Sequence, residues 1–233
     1  MAAHYVVRSV DRAPPEVIAA LRDAGVATAH EAAGRVGLLG PAIQARQTGV
    51  AIAGSAITVS CHPGDNLMLH AAMEVCQPGD VLVVTTTSPS TDGMFGELFA
   101  TALQHRGARG LVINAGVRDV AELHEMGFPV WSAAVSAQGT VKATPGSVNV
   151  PVSVAGQMIH PGDAILADDD GVLCVPRDEV SKALAAADAR AAKEKASRAA
   201  FRRGELGLDR YGLRDKLAGL GIEYVEYEKY IGT

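Results

Sequence analysis

The chain has 233 residues, a formal charge of −5 at pH 7, 48% hydrophobic residues and only 4% aromatic residues. This length suits one domain whose core is built from aliphatic side chains. The acidic balance provides no basic surface for nucleic acid or an anionic membrane, and no apolar stretch approaches the roughly 20 residues that cross a bilayer. The cysteines include no CxxC pair, so we expect reduced thiols in the core of a cytoplasmic protein.

The first half of the chain predicts helices that alternate with apolar, β-branched strands. This alternation predicts a parallel core sheet. A glycine at position 54 suggests a bulge in the first long strand, and Asp65 or Asn66 would cap the helix that follows it. The predicted elements are helices over 15–24 and 27–33, a strand over 50–59, a helix over 67–76, a strand over 81–84, a loop over 85–96, a helix over 98–105 and a strand over 109–115.

The second half changes to short strands, which are predicted over 130–134, 148–154, 164–167 and 172–175. A long, alanine-rich and charged helix follows over 178–203, and its thin apolar face indicates docking on a neighbouring subunit. The predicted fold class is therefore α/β, a layered α/β/β sandwich with a parallel core sheet, a β-rich second half and a long C-terminal helix plus tail. Residues 1–177 would form the catalytic domain, and residues 178–233 an oligomerisation extension.

An arginine and an aspartate stand where the predicted strand over 109–115 gives way to a helix that starts at Val120. Open α/β sheets place their ligands at such junctions. Arg118 is a forked cation suited to a carboxylate, and Asp119 is an oxygen ligand suited to Mg²⁺ or Mn²⁺. A structural alternative is that Asp119 caps the helix and Glu122 is its capping-box partner.

The spacing of Glu97, twenty residues and then Arg118-Asp119 resembles the acidic-X20-Arg-Asp signature of the metal-dependent pyruvate aldolases. More closely, the chain resembles the 4-carboxy-4-hydroxy-2-oxoadipate aldolases, also called 4-hydroxy-4-methyl-2-oxoglutarate aldolases. The wider family includes the non-catalytic regulator of ribonuclease activity A, so the fold alone does not decide function. The similarity extends through residues 64–66, 87–89, 139–142, 148–151, 167–171 and 206–209.

The resemblance implies a retro-aldol cleavage of 4-carboxy-4-hydroxy-2-oxoadipate to pyruvate and oxaloacetate, or of 4-hydroxy-4-methyl-2-oxoglutarate to two pyruvates. Both reactions belong to the degradation of aromatic acids of the protocatechuate and gallate type. The enolate of pyruvate is shared with the loss of CO₂ from oxaloacetate, so decarboxylation is an expected side activity.

The resemblance also implies a cofactor, one Mg²⁺ or Mn²⁺ ion. Asp119 would be its direct protein ligand. Glu97 would act through metal-bound water, and so would Glu194 from a neighbouring subunit. Glu97 stands where some members of the family carry aspartate, which changes the reach of this side chain by one methylene.

The same resemblance assigns the residues that bind substrate. Arg118 would bind the 2-keto oxygen and the adjacent carboxylate, and the backbone amides of Leu98 and Phe99 would bind that carboxylate. Independently, Leu98 opens a predicted helix, whose first amides lack partners within the helix. Asn66 and Lys142 would bind the distal carboxylates of the substrate.

Two alternatives remain open from the sequence. A Schiff-base aldolase needs a desolvated lysine, and Lys142 is the candidate because the other lysines all lie at Lys182 or beyond. A metal-free binding protein that regulates a ribonuclease is the second alternative, although such proteins tend to lack the metal aspartate and the C-terminal extension. The expected partners are a small oxo-acid and further copies of the chain, as a trimer or a dimer of trimers, with no nucleic acid and no membrane.

Overall fold

A computed structural model describes residues 4–232 of the chain. Its helices are α1 (Pro15–Ala24), α2 (Val26–Ala32), α3 (Leu67–Val75), α4 (Glu97–His105), α5 (Val120–Glu125), α6 (Val180–Arg202), α7 (Gly207–Arg210), α8 (Arg214–Gly219) and α9 (Tyr227–Tyr230). Its strands are β1 (Gln44–Ala45), β2 (Ile52–Cys61), β3 (Asp80–Thr86), β4 (Gly93–Phe95), β5 (Gly110–Val117), β6 (Val130–Val135), β7 (Ser147–Val148), β8 (Val152–Val154), β9 (Gln157–Ile159), β10 (Ala164–Asp168) and β11 (Gly171–Val175).

The central sheet has the strand order β1-β6-β5-β3-β2-β10-β11. Strands β2, β3, β5 and β6 are parallel neighbours, whereas β1, β10 and β11 pair antiparallel at the two sides. The short strand β4 runs parallel to the last residues of β5, beyond the point where β3 stops pairing with it. The predicted parallel core is confirmed, and β4 brings the start of α4 next to the end of β5.

One face of the sheet is covered by helices. The first turn of α3 begins after Asn66, and α3, α4 and α5 bury Leu69, Leu103 and Leu123 completely. These side chains pack against the apolar face of β2, β3 and β5, which includes Ile57. Helices on one face of parallel strands explain why these strands are apolar along most of their length.

The other face is covered by strands, which makes the fold layered α/β/β as predicted. Val152 and Ile159 of the β8–β9 hairpin pack with Trp131 on the side of the sheet opposite to α3 and α4. The indole Nε1 of Trp131 on β6 donates to the carbonyl of Asp168 on β10 at 3.0 Å, although these strands are not sheet neighbours. The sheet is therefore strongly curled and nearly closed around this second core.

Helices α1 and α2 and the first turns of α6 form a third apolar cluster on β10 and β11, which includes Leu21, Leu166 and Val180. Compact packing divides the chain into two units, one up to Asp188 and one from Ala189 onward. The second unit contains the end of α6 and the short helices α7, α8 and α9, which bury none of their residues. The domain boundary predicted at residue 178 stays a prediction. Every helix in residues 4–232 is too short or too polar to cross a bilayer.

Several sequence predictions about individual elements are wrong, and their physical reasons are visible. Gly54 is not in a bulge, because β2 keeps a regular register there; a β-carbon at Gly54 would lie 2.1 Å from the carbonyl oxygen of Gly79. The strand predicted over 109–115 continues through Gly116 to Val117. A β-carbon at Gly116 would lie 2.1 Å from the carbonyl oxygen of Thr91, so glycine here serves close packing and does not end the strand. The strand predicted over 148–154 is divided by Asn149, whose φ of 57° interrupts an extended chain.

Candidate active site

A cleft of about 290 Å³ lies beside the residues that follow β5. Its first wall, here called the catalytic wall, consists of the end of β5 and the β4–α4 junction. Its second wall, here called the distal wall, consists of the start of α3 and the loop over 139–142. The catalytic wall contains Gly96, Leu98, Phe99, Arg118 and Asp119, and the distal wall contains Asn66, His70, Thr140 and Lys142.

Asp119 is held in an uncommon backbone conformation. Its φ of 55° and ψ of 42° are left-handed, a region that aspartate and asparagine tolerate better than most residues. Its carboxylate makes no capping bond to α5; instead Oδ2 accepts the backbone amide of Glu97 at 3.1 Å. The capping interpretation of Asp119 is therefore wrong, since this side chain points to the start of α4 rather than along its own helix.

Gly96 provides the space that the Asp119 carboxylate occupies. A β-carbon built on Gly96 would lie 2.2 Å from Asp119 Oδ2 and 3.0 Å from Arg118 Cγ. The backbone of Gly96 is extended, with φ of −154°, so an alanine there meets a steric conflict rather than a conformational one. A glycine at this position is thus needed for the observed position of the carboxylate.

Arg118 is anchored by its backbone and leaves its guanidinium available. Its amide donates to the carbonyl of Phe95 at 2.9 Å, and its Nε lies 3.5 Å from Asp119 Oδ2. The side chain is 46% exposed, and within residues 4–232 its guanidinium has no other carboxylate partner. Most of its five N–H donors can therefore bind a ligand in the cleft.

The N-terminus of α4 adds two further donors to the same wall. The backbone amides of Leu98 and Phe99 donate to no acceptor in the described part of the chain, whereas the next amide, of Ala100, bonds to Gly96. Free amides and the positive end of the helix dipole favour an anion. The predicted carboxylate-binding amides thus lie in the cleft together with Arg118.

Asp119 is also suited to a divalent cation. Its side chain is 37% exposed, and its second oxygen has no hydrogen-bond partner among residues 4–232. No group of three or more His, Cys, Asp and Glu side chains in those residues is arranged for a metal. A single carboxylate fits a hard cation that keeps most of its water ligands, such as Mg²⁺ or Mn²⁺, better than it fits zinc.

The distal wall combines a buried amide with two basic side chains. Asn66 is 6% exposed, and its Nδ2 donates to the carbonyl of Met94 at 3.1 Å. Lys142 is exposed, and the ring of His70 lies 4.6 Å from the ring of Phe99 at an angle of 46°. Burial, and then the charge of Lys142, lower the pKa of His70, so its imidazole is neutral at pH 7. Sequence reasoning missed His70, although it lies four residues after Asn66 and so on the same face of α3.

Comparisons with known proteins identify the family of this chain. The family model for RraA-like proteins, described as Aldolase/RraA, matches residues 18–174. The chain belongs to the RraA-like family. A 4-hydroxy-4-methyl-2-oxoglutarate aldolase of Thermus thermophilus is 31% identical over 112 residues, which cover 48% of this chain and 68% of that protein. A Burkholderia multivorans protein carries the same name with the qualifier "putative". It is 36% identical over 148 residues, which cover 62% of this chain and 90% of that protein.

A solved structure that resembles this chain is named after an inhibitor and not after an aldolase. Streptomyces coelicolor RraAS2, described as an unusual member of the RNase ES inhibitor RraA protein family, superposes with a TM-score of 0.70. The two proteins are 27% identical, and the match covers 80% of this chain and 98% of that one. The RraA-like fold predicted from the sequence is confirmed, and family membership alone includes both aldolase and inhibitor names.

Each of the two acidic residues expected to act through water in this site has a partner within its own helix. Glu97 is in the first turn of α4, but its carboxylate accepts the hydroxyl of Thr101 at 2.7 Å, and the residue does not line the cleft. Glu194 belongs to the second unit, where its carboxylate lies 2.9 Å from Nε of Arg190 on the next turn of α6. Their expected action through water stays a prediction.

The buried thiols are unsuited to nucleophilic chemistry. Burial raises the pKa of both Cys61 and Cys76 to about 12, and it raises the pKa of Cys174 as well. All three thiols are therefore protonated at neutral pH and belong to the core, as predicted. Lys142 is exposed, so its surroundings do not desolvate it in the way that a Schiff-base lysine requires.

Proposed function

We propose that this chain catalyses the divalent-metal-dependent retro-aldol cleavage of 4-carboxy-4-hydroxy-2-oxoadipate to pyruvate and oxaloacetate. 4-Hydroxy-4-methyl-2-oxoglutarate, which yields two pyruvates, is the second proposed substrate, and decarboxylation of oxaloacetate is a proposed side activity. The proposed setting is the degradation of aromatic acids in the cytoplasm. One observation carries the proposal: a guanidinium, a half-exposed carboxylate and two free helix amides converge on one cleft.

The residues of the catalytic wall match the pyruvyl half of the substrate. The amides of Leu98 and Phe99 would bind its carboxylate at the N-terminus of α4. Arg118 would donate to the 2-keto oxygen and to the same carboxylate, which its fork can reach together. Asp119 would hold Mg²⁺ or Mn²⁺, which supplies Lewis acidity at the keto group.

Cleavage breaks the bond between C3 and C4. The C4 hydroxyl would give its proton to a water molecule in the cleft and become the carbonyl of oxaloacetate, while the electron pair of the broken bond moves to C3. The resulting enolate of pyruvate carries negative charge on the former 2-keto oxygen, toward which Arg118 donates. A donor aimed at the developing charge stabilises the transition state more than the ground state. A water molecule near Arg118 would then give a proton to C3, which completes pyruvate.

Removal of the metal tests this proposal directly. Pyruvate release, followed by a coupled lactate dehydrogenase assay, should stop when EDTA is present and return when excess Mg²⁺ or Mn²⁺ is added. A site with one carboxylate ligand should bind its cation weakly enough for this exchange. Full activity in excess chelator would contradict the metal mechanism, and trapping by borohydride at Lys142 would then identify a Schiff base.

A ribonuclease-regulating role is the second candidate, because the RraA-like neighbour RraAS2 carries an inhibitor name at 27% identity. A purified chain that lowers the rate of a ribonuclease of that class and releases no pyruvate would support this candidate. The half-exposed guanidinium of Arg118, most of whose donors face no acceptor in residues 4–232, and the half-exposed carboxylate of Asp119 favour the aldolase instead, since a binding protein needs neither group in a cleft.

A further inference from the structure

Asp65 is a buried carboxylate behind the distal wall, and it is only 1% exposed. Its Oδ1 accepts the amide of Leu67 at 2.9 Å. Its Oδ2 accepts the amides of Ala143 and Thr144 at 2.8 and 2.6 Å. The carboxylate therefore joins the start of α3 to a loop that lies almost 80 residues later in the chain.

The two segments that Asp65 joins carry the residues of the distal wall. Asn66 follows Asp65 directly, and its amide donates to the carbonyl of Val141 at 3.0 Å. The amide of Val141 in turn donates to the carbonyl of Gly64 at 2.9 Å. Lys142 thus lies between two residues, Val141 and Ala143, whose backbones are both bound to the 64–66 segment. The side chain of Lys142 is exposed, so the backbone hydrogen bonds of its neighbours are what fix the position from which this side chain extends.

The charged form of Asp65 suits this task. Burial raises the pKa of Asp65. Hydrogen bonds from the Leu67, Ala143 and Thr144 amides and from the Thr144 hydroxyl together lower it by more, so the pKa is below the ordinary value. Bonds from N–H donors to a carboxylate are stronger than bonds to a neutral acceptor. An asparagine at this position would have one acceptor oxygen fewer and would turn an N–H group toward amides that are themselves donors.

We propose that Asp65 is a positioning residue for the distal part of the substrate: it holds the Lys142 segment beside Asn66 so that the distal wall recognises a second carboxylate. This inference rests on the proposed aldolase function. Asp65 does not line the cleft, and we expect it to act on the catalytic wall only weakly, because its hydrogen bonds end at the start of α3 and directly after the loop over 139–142.

Two reactions distinguish the contribution of the distal wall from that of the catalytic wall. Cleavage of 4-carboxy-4-hydroxy-2-oxoadipate needs both walls, whereas exchange of the C3 protons of pyruvate with D₂O needs only the catalytic wall. Asp65→Asn should raise KM for cleavage roughly tenfold, the effect of losing about one hydrogen bond to a charged group. The kcat for cleavage and the rate of pyruvate exchange, followed by NMR, should stay near those of the wild type.

Asp163 provides a matched control for loss of a buried carboxylate. It is 4% exposed and also joins two segments, through the amides of His160 and Arg177, but it does not line the cleft. Asp163→Asn should lower the melting temperature without raising KM. If Asp65→Asn fails to fold, Thr144→Val removes only the hydroxyl bond to Asp65 and should raise KM in the same direction by a smaller factor.

A double-mutant comparison decides whether Asp65 acts through Lys142. Lys142→Met should raise KM for cleavage, and addition of Asp65→Asn to this variant should raise it little further. Independent, multiplying effects would overturn the inference, and so would an equal loss of pyruvate exchange and cleavage in Asp65→Asn. A wild-type protein that catalyses neither reaction would overturn the proposed function and, with it, this inference.

Discussion

The planar fork of donors is the property of Arg118 that a lysine at the same position lacks and that the proposed site uses. Arg118→Lys keeps the positive charge but cannot reach a keto oxygen and a carboxylate together. We expect kcat to fall roughly 10²–10³-fold, as for removal of one oxyanion donor. Folding should be unaffected, because the anchoring bond to Phe95 comes from the backbone.

Steady-state pyruvate release and the elution volume of the variant provide the two measurements. If Arg118→Lys turns over within about threefold of the wild type, a margin far below the effect of an oxyanion donor, then the fork has no catalytic role. A change of elution volume would instead indicate that Arg118 is structural.

The sequence placed Arg118 and Asp119 between a buried strand and a helix, and the structure has them there, between β5 and α5. It could not show which way Asp119 points. Aspartate just before a helix usually caps it, and only the left-handed backbone and the vacant volume at Gly96 direct its carboxylate to Glu97. The proposed role of Asp65 could not be predicted from the sequence for a similar reason. Two of its three amide partners lie at positions 143 and 144, and no local sequence pattern indicates these contacts.

At the scale of elements, the junction of β4 and α4 was the least predictable part of the site. The residues over 85–96 are small and polar and indicate a loop, yet three of them form β4 against the end of β5. Pairing with a distant strand overrides local preference in such short strands. This pairing brings Gly96 beside Asp119 and orients the free amides of α4, so the catalytic wall depends on it.

Gly96→Ala tests that dependence. A β-carbon there would displace the Asp119 carboxylate, so we expect affinity for Mg²⁺ or Mn²⁺, measured by activation of pyruvate release, to fall roughly 10–100-fold, as for loss of support to a metal ligand. Gly40→Ala is the control, because its nearest neighbour to a new β-carbon is 3.7 Å away. Gly96→Ala with unchanged metal activation would show that Asp119 can move without functional loss.

At the scale of the whole molecule, the layered fold followed from the order of predicted strands and helices, but the quaternary structure did not. The short helices over 207–230 bury no residue, and this segment leaves several large apolar side chains exposed. Assembly into trimers or dimers of trimers would cover such surfaces, and we propose it on that basis. Exposed side chains over 206–231 include Leu206, Leu220, Ile222, Tyr224, Tyr227 and Tyr230.

We propose that Glu194 connects this assembly to catalysis. Within its own unit, Glu194 forms an ordinary i,i+4 ion pair with Arg190, and a pair of that kind stabilises a helix only slightly. If Glu194 instead serves the metal waters of a neighbouring subunit, each site is composed of two chains. Asp119→Asn, which keeps a residue tolerant of the left-handed backbone, and Glu194→Ala should then each inactivate the homo-oligomer.

Co-assembly of these two variants distinguishes a shared site from a site within one chain. In a randomly mixed ring, about a quarter of the sites combine an intact Asp119 chain with an intact neighbouring Glu194 chain, so about a quarter of wild-type activity should return. Different affinity tags on the two variants verify that mixed oligomers form. Mixed oligomers that stay as inactive as the parent variants would place Glu194 outside the neighbouring site, because complementation requires only that the two residues act from different chains.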